Sequence, residues 1–262
     1  MVYNVLILLI AVFLALLIEA FRDWNWKAVV IALLLLTVPI ACMSGVKLSY
    51  EWRSGKEVEK GIPSIMWIAM GMQGDQYGPG MFNGYTESTF RGEAESDSEK
   101  GIQIAKEEIR NRLEEFAADR DKAVDFYKAK IQLQWIDPTF SSFVMTSKFG
   151  EDPTPYTLSF YYGKVPERIL KFMNNYSFII YVSVCIYAVL SLIKKQSILY
   201  SMGLIAVIGG FLFSIIWEAK GRYVMPYVIL MIPYMAKGLH GAQMLLEDGV
   251  RKILNMASKS EI

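Results

Sequence analysis

The sequence predicts a mainly α-helical, polytopic membrane protein of about five spans, with a helical extracytoplasmic loop domain of about 120 residues. Two observations predict this class. Apolar runs lie on both sides of a polar stretch, and they have the roughly 20 residues that a helix needs to cross a hydrocarbon core of about 30 Å. Charge is also divided unevenly. Residues 47–168 hold 16 of the 27 Lys and Arg and 20 of the 26 Asp and Glu, a net charge of −4, whereas the remaining residues carry +5.

Composition argues against several other classes. Gly content is ordinary, aromatic residues make up 13% of the chain and there are only two cysteines, which excludes collagen-like, disordered and disulfide-scaffold proteins. No basic stripe suggests a nucleic-acid partner. Cys42 and Cys185 both lie inside apolar runs, and we expect small buried thiols there rather than a disulfide or a redox site.

Four apolar runs predict spanning helices. They are residues 2–18, 28–46, 172–193 and 197–217. The first run contains a single strongly polar residue, Asn4. These runs divide the chain into two spans (1–46), the loop domain (47–170), three spans (171–240) and a cytoplasmic tail (241–262).

The last of the three spans predicted within residues 171–240 is the shortest apolar run. Residues 223–236 number only 14 and include two prolines, whose freed backbone groups neighbouring helices have to satisfy. This segment crosses the membrane only if Lys237 and His240 extend to the interface, or if the helix continues to about Leu245.

Lys and Arg in short connectors mark the cytoplasmic side of a membrane protein. With five spans, one face collects Arg22, Lys27, Lys194, Lys195, Lys237, Arg251, Lys252 and Lys259. We therefore expect a multi-pass plasma-membrane protein whose loop domain is outside, together with Lys220 and Arg222. A chain that starts outside with an uncharged tip has nothing at its front to direct insertion, so the sequence also predicts the continuation of a longer polytopic protein.

The loop domain has its own pattern. Residues 63–72 are apolar but too few to span, so we expect them at the membrane interface or packed under the loop. Residues 73–85 are rich in glycine and aromatic residues. Apolar residues at spacings of three and four predict a helix that begins near Ser98, which is a candidate N-cap, and a second helix over residues 121–134.

One polar cluster lies between the fourth and fifth apolar runs and consists of Glu218, Lys220, Arg222 and Tyr223. A structural interpretation is that the two cations extend to the interface while Glu218 pairs with them. A functional interpretation uses the position of the cluster just before a helix. Free N–H groups and a guanidinium there would grip the phosphate of a lipid in the outer leaflet.

A second cluster combines flat aromatic side chains with carboxylates and amides, and it consists of Trp67, Asp75, Tyr77, Asn83, Tyr85 and Glu87. Sugars are bound by such side chains through ring stacking and hydroxyl hydrogen bonds, although glycine-rich loops with aromatics are also often only ordered turns. Trp135 and Asp137 have the same two interpretations, an acceptor or sugar contact on one hand and packing and a turn on the other.

Motifs of soluble enzymes do not occur in the sequence. There is no P-loop, no G-x-S-x-G and no paired metal-ligand spacing, so we expect neither a metal nor a cofactor. The single histidine, His240, falls on the predicted cytoplasmic side, which argues against a His-based triad.

Four segments together resemble the C-terminal part of bacterial protein O-mannosyltransferase-like membrane glycosyltransferases, a family 39-like group of the GT-C type. They are P-x-x-x-W-I-x-M-G-M at 63–72, I-R-x-R-L at 109–113, F-Y-x-x-K-x-x-x-x-W-x-D at 126–137 and E-x-x-x-R-Y-x-x-P-Y at 218–227. The sequence departs from the expected pattern at Met66, where a histidine would precede Trp67.

The resemblance implies sugar transfer from a polyprenyl-phosphate donor on the outer face of the membrane. In such enzymes an acidic residue in the first outside loop is the general base, and the chain has no counterpart for it, because Glu19 and Asp23 fall on the cytoplasmic face. We therefore expect a donor-binding half or subunit that is inactive alone, completed by an N-terminal catalytic half or companion. The alternative is a non-catalytic membrane protein whose extracytoplasmic helical domain binds a partner.

Overall fold

The computed structural model describes residues 2–75, 78–143, 154–161 and 164–260. In chain order the elements are α1 (Val2–Asp23), α2 (Trp26–Ser54), α3 (Ile65–Gly71), β1 (Gly74–Asp75), β2 (Gly78–Pro79), α4 (Tyr85–Arg91), α5 (Ser98–Ala118), α6 (Arg120–Ile131), a π-helical turn (Gln132–Ile136), α7 (Pro155–Tyr161), α8 (Lys164–Ile193), a 3₁₀ turn (Ile198–Ser201), α9 (Met202–Ile216) and α10 (Gly221–Ser260). The two short strands pair antiparallel. The predicted mainly helical class is therefore confirmed.

Within the described residues, four helical segments are long and apolar enough to cross a membrane: Asn4–Asp23, Trp26–Ser54, Lys164–Ile193 and Ile198–Ile216. The second and third contain the predicted runs 28–46 and 172–193 in full, and the first and fourth overlap all but one or two end residues of the runs 2–18 and 197–217. Two of the helices reach further into the polar stretch than predicted: α2 continues to Ser54, and α8 already begins at Lys164.

The fifth predicted run lies in α10, which is 40 residues long and continues past Leu245. This helix is not among the four segments that meet the length and hydropathy criterion. It packs closely along α8. A Cβ atom on Gly238 would lie only 1.8 Å from the Ser183 carbonyl oxygen, so glycine permits this approach.

Polar contacts hold α1 against the other helices at both of its ends. Near the start of α1, Asn4 Nδ2 donates to the Tyr223 carbonyl oxygen (3.0 Å). Near its end, Ser197 Oγ donates to Glu19 Oε2 (3.0 Å). The ends of α1 therefore mark two levels of the helix bundle, one at the α9–α10 connection and one at the α8–α9 connection.

In contrast, α2 packs mainly on α1, and among the described residues its buried ones are Ala28 and Ala32. The prediction of buried thiols was wrong, because Cys42 and Cys185 are both exposed on the helix surface. An apolar run in a membrane helix includes an outward face that lipid covers, and lipid tails are as apolar as a protein core. Apolar sequence alone therefore does not place a cysteine inside the protein.

The loop domain has a small core of its own, formed by Met66, Ala69, Phe90, Ala94 and Ala105 from α3, α4, the α4–α5 connection and α5. The apolar segment 63–72 contains α3, which packs in this core. Of the two predicted placements, the membrane interface and packing under the loop, the structure has the second. The cap of α5 is one residue earlier than predicted. Asp97 accepts hydrogen bonds from the backbone N–H groups of Glu99 (2.7 Å) and Lys100 (3.1 Å), and Ser98 is already helical.

Candidate functional site

The loop domain caps the C-terminus of α9. Lys130 on α6 is fully buried, and its ammonium group donates to the carbonyl oxygens of Ile215 (2.9 Å) and Gly71. These carbonyl groups lie at the ends of α9 and α3, where helices have unpaired acceptors and a partial negative charge. Burial lowers the pKa of Lys130 from 10.5 to about 7. The contact fixes the loop domain to the spanning helices.

Close backbone packing reinforces this junction. A Cβ atom on Gly71 would lie 2.7 Å from the backbone carbonyl of Trp217, so α3 and the end of α9 touch without intervening side chains. The backbone N–H of Ala219 also donates to the Gly80 carbonyl oxygen (2.6 Å). The segment between α9 and α10 is therefore held by the loop domain.

Two predicted site residues, Trp135 and Asp137, contribute to this junction as structural groups. Trp135 is buried, and its indole N–H donates to Ser214 Oγ (2.9 Å). Asp137 accepts hydrogen bonds from the backbone N–H groups of Thr139 (2.9 Å) and Ser141 (2.6 Å). The packing and turn interpretations therefore describe what these two side chains do.

A cavity of about 290 Å³ lies beside the segment between α9 and α10, and we term it the Glu218 cavity. Its wall includes the aromatic side chains of Trp67, Phe213 and Trp217 and the polar side chains of Asn4, Glu218 and Tyr223. The loop domain, α1, α9 and α10 all contribute to it. Two of the predicted clusters therefore meet here, because Trp67 belongs to one of them and Glu218 and Tyr223 to the other.

Parallel aromatic rings form one side of the Glu218 cavity. The rings of Trp67 and Trp217 are parallel, at an interplanar angle of 0°, with their centroids 6.3 Å apart. The ring of Phe213 stacks on Trp217 with a centroid distance of 5.0 Å. Flat apolar faces of this kind, combined with a few polar groups, are typical of small-molecule sites.

Glu218 is the buried charged group of the cavity, with 3% of its surface exposed. Its Oε1 atom lies 2.8 Å from Lys220 Nζ, and its Oε2 atom accepts a hydrogen bond from the Tyr223 hydroxyl (3.3 Å). The ammonium group of Lys220 is therefore the one partner of Oε1 among the described residues. A carboxylate oxygen has room for a second donor, which a ligand hydroxyl would supply.

Asn4 is a cavity residue that the sequence interpretation missed. Its Nδ2 atom donates to the Tyr223 carbonyl oxygen, and its Oδ1 atom accepts from the Tyr227 hydroxyl (3.2 Å). Polar side chains within apolar spans commonly form such bonds between helices. The signal for it was in the sequence, since Asn4 is the one strongly polar residue of the first apolar run.

The two cations of the predicted phosphate grip have different surroundings. Lys220 is 19% exposed, pairs with Glu218 and lies 5.1 Å from the centre of the Phe82 ring. Arg222 is exposed and lies 5.7 Å from the centre of the Tyr223 ring. Within the described residues, no ion pair joins the Arg222 guanidinium to the Glu218 carboxylate. The structural interpretation, in which Glu218 pairs with both cations, is therefore correct only for Lys220.

Three described members of the predicted sugar cluster, Asn83, Tyr85 and Glu87, do not line the Glu218 cavity. Asn83 donates to Gln73 Oε1 (2.9 Å) and accepts from the Tyr85 backbone N–H (3.0 Å). Glu87 is exposed and pairs with Arg91 at 2.9 Å. These side chains form a turn and a surface ion pair of the loop domain.

Tyr85, Asp75 and Tyr77 also belong to that cluster. The ring of Tyr85 packs against the core of the loop domain, where burial, with Glu108 and Glu93 nearby, raises its pKa to about 12. Asp75 pairs with Gly78 between the two strands, and Tyr77 lies outside the described residues. No group of three or more His, Cys, Asp or Glu side chains in the described ranges has an arrangement that fits a metal ion.

Comparison of the chain with protein-family models, with curated proteins and with solved structures gives no match. The function is therefore inferred from the residues and the geometry of the chain itself.

Proposed function

We propose that the chain is the C-terminal half or a subunit of a membrane glycosyltransferase that binds a polyprenyl-phosphate-linked sugar on the outer face of the membrane. The observation that carries this proposal is the Glu218 cavity. It combines the buried carboxylate of Glu218, whose Oε1 atom has Lys220 as its ion-pair partner, with the parallel rings of Trp67 and Trp217. Indole faces stack on the C–H face of a hexose, while a carboxylate accepts hydrogen bonds from its hydroxyl groups.

The position of the cavity supports a lipid-linked ligand. It lies where α1 begins and α9 ends, and both helices are apolar enough to cross a membrane. A sugar in this cavity would therefore be near the headgroup level, with the polyprenyl chain along the apolar helix surfaces. The exposed guanidinium of Arg222 is close to this level and is suited to two-pronged contact with phosphate.

The proposal includes a fifth span formed by α10. The helix from Gly221 to Leu245 covers 24 steps, or about 36 Å, which exceeds the hydrocarbon thickness of about 30 Å. With five spans the Lys and Arg of the short connectors and of the tail fall on one face, which we assign to the cytoplasm. The loop domain and the Glu218 cavity are then outside the plasma membrane in this proposal, and the α8–α9 connection is inside. The catalytic base would then come from an N-terminal half or a companion subunit, and this chain alone would be inactive.

Binding of a polyprenyl phosphate, with and without an attached hexose, to the purified chain in detergent tests the proposal. We expect saturable binding of both lipids, a loss of about tenfold or more in Arg222→Ala, and only partial recovery in Arg222→Lys, because lysine lacks the two-pronged contact. Glu218→Gln should weaken only the hexose-bearing lipid. Arg251→Ala, on an exposed site near the other end of α10, is the matched control.

Undiminished binding in Arg222→Ala would remove Arg222 from the phosphate contact. Absence of binding by the wild-type chain would favour the alternative function, a non-catalytic membrane protein whose loop domain binds a partner. In that case the Glu218–Lys220 ion pair and the Tyr223 hydrogen bond serve only to hold the segment between α9 and α10.

A further inference from the structure

A second cavity, of about 530 Å³, lies between α8, the α8–α9 connection and α10, and we term it the distal pocket. Three basic side chains line it: Lys194, Lys237 and His240. Among the described residues that line it, none is Asp or Glu. The glycosyltransferase proposal does not use this pocket.

The distal pocket is at the opposite end of the bundle from the Glu218 cavity. Lys237 follows Gly221 by 16 residues in the same helix, which corresponds to about 24 Å. This separation is close to the hydrocarbon thickness of about 30 Å. The bond between Ser197 and Glu19 places the end of α1 at the same level. If the helices cross a bilayer with the Glu218 cavity at the headgroup level of one leaflet, the distal pocket therefore lies near the headgroup level of the other leaflet.

Aromatic rings position the ammonium group of Lys237. Its Nζ atom lies 5.8 Å from the centre of the Tyr187 ring and 5.6 Å from the centre of the Tyr200 ring, within the range of cation–π contacts. The rings attract the cation but do not neutralise it. No ion pair of Lys237 or Lys194 occurs within the described part of the chain, so an external anion would be the first full negative charge that they meet.

Neutral donors and an apolar margin complete the pocket. Ser191 Oγ donates to Gln196 Oε1 (3.3 Å), so the amide nitrogen of Gln196 is available as a donor to a ligand. Leu190 and Met244 contribute apolar surface to the same wall. Cations and amide donors suit phosphate oxygens, and apolar side chains beside them suit the first carbons of an acyl chain.

We propose that the distal pocket binds the phosphate ester of an anionic phospholipid headgroup in the leaflet opposite the Glu218 cavity. Basic pockets between spanning helices are a known physical solution for such headgroups, because the cations lie within a low-dielectric surface and the acyl chains stay in the bilayer. Free inorganic phosphate offers the same oxygen atoms but no acyl chain, so the two sources are separable by experiment.

The experiment uses the purified full chain in a neutral detergent. Retention of phosphatidylglycerol and of phosphatidylcholine is measured by native mass spectrometry, and thermal unfolding is followed with each lipid and with inorganic phosphate. We expect at least tenfold stronger retention of phosphatidylglycerol. The double variant Lys194→Gln/Lys237→Gln should lose this preference, whereas Lys195→Gln, the exposed neighbour that does not line the pocket, should keep it.

Further variants separate binding from folding. Lys194→Gln alone changes an exposed side chain and should weaken the preference partially, and Lys237→Arg should preserve it because the positive charge and the ring contacts remain. Stabilisation by the anionic lipid alone identifies the membrane as the source, and stabilisation by inorganic phosphate as well identifies the phosphate group as the part recognised. Equal retention of phosphatidylglycerol by the wild type and the double variant would overturn the proposal.

Discussion

The lysine side chains near the two ends of α10 have different partners. At the end near the loop domain, Lys220 pairs with Glu218, and Lys130 from α6 donates to two backbone carbonyl oxygens. At the distal end, Lys237 and Lys194 line a cavity in which no carboxylate of the described residues takes part. Lysine therefore serves internal structure at one end and has no carboxylate beside it in the cavity at the other.

The reason for the difference is the cost of burying charge. An ammonium group removed from water is tolerated only when oxygen atoms replace its hydration, and Lys130 obtains them from the ends of α3 and α9. Lys194 keeps contact with the solvent and needs no such partner. Variants of the buried Lys130 should therefore affect stability, whereas variants of Lys194 and Lys237 should affect binding at the distal pocket.

The largest expected effect on stability is from Lys130→Ala. The change leaves the Gly71 and Ile215 carbonyl oxygens without a donor and opens a cavity, so we expect a loss of about 3 kcal/mol or more in the free energy of unfolding. Thermal and denaturant unfolding in detergent measure it. Lys128→Ala, at an exposed position on the same helix, is the control. Equal stability of the two variants would show that the buried ammonium group does not hold the junction.

Gly71→Ala should have the next largest effect. The added Cβ atom would lie 2.7 Å from backbone atoms of Trp217, which cannot move without separating α3 from α9. Overpacking of this kind costs about 1–3 kcal/mol. Gly45→Ala on α2 is the matched control, because a Cβ atom there meets nothing within 4 Å. The same unfolding measurement should show no loss for this second variant.

The pH dependence of stability gives a smaller effect at the same junction. The pKa of Lys130 is about 7 in the folded chain and returns to about 10.5 on unfolding. Between these values the unfolded state binds more protons, so stability rises with pH, by an amount on the order of 1 kcal/mol per pH unit. Below pH 7 both states are protonated, and the cost of the buried charge is present in full.

Unfolding curves of the wild type and of Lys130→Met between pH 7.5 and 9.5 test this sign. The rise in stability should be present in the wild type and reduced in the variant. This window lies below the pKa of Tyr85, which burial raises to about 12 and whose contribution to stability falls only above pH 10. Parallel pH profiles in the two proteins would contradict the assignment to Lys130.

The apolar runs predicted where the four helices that are long and apolar enough to span a membrane lie, because a stretch of about 20 apolar residues has few other stable environments. They did not predict where these helices end. A helix continues into a polar region when side chains support it, as Lys47 and Glu51 do at 3.7 Å on the last part of α2. Hydropathy therefore locates the membrane part of a helix and not its full length.

The candidate site was predictable only in pieces. Glu218 and Tyr223 are neighbours in sequence, and both line the cavity. Trp67 joins them from 150 residues away, through the packing of α3 against the end of α9, which no local pattern reveals. Lys130 shows the same limit, because among many charged residues of the loop domain its sequence position does not indicate burial.

The smallest expected effect is that of Glu87→Gln, which we compare with Glu218→Gln because both carboxylates are candidate site residues predicted from the sequence. Glu87 is exposed and forms a surface ion pair with Arg91, which is worth about 0.3–0.5 kcal/mol in such helix pairs, whereas Glu218 is buried in the cavity. Glu87→Gln should therefore leave both stability and binding of the hexose-bearing polyprenyl phosphate almost unchanged. The same substitution at Glu218 removes the negative charge and replaces one of two acceptor oxygens by an amide donor, so under the proposed sugar contact we expect clearly weaker binding. Binding assays of both variants with one lipid preparation make the comparison direct. Weaker binding in Glu87→Gln would extend the sugar contact from the Glu218 cavity to α4, and equal binding in both variants would remove the carboxylate from the contact altogether.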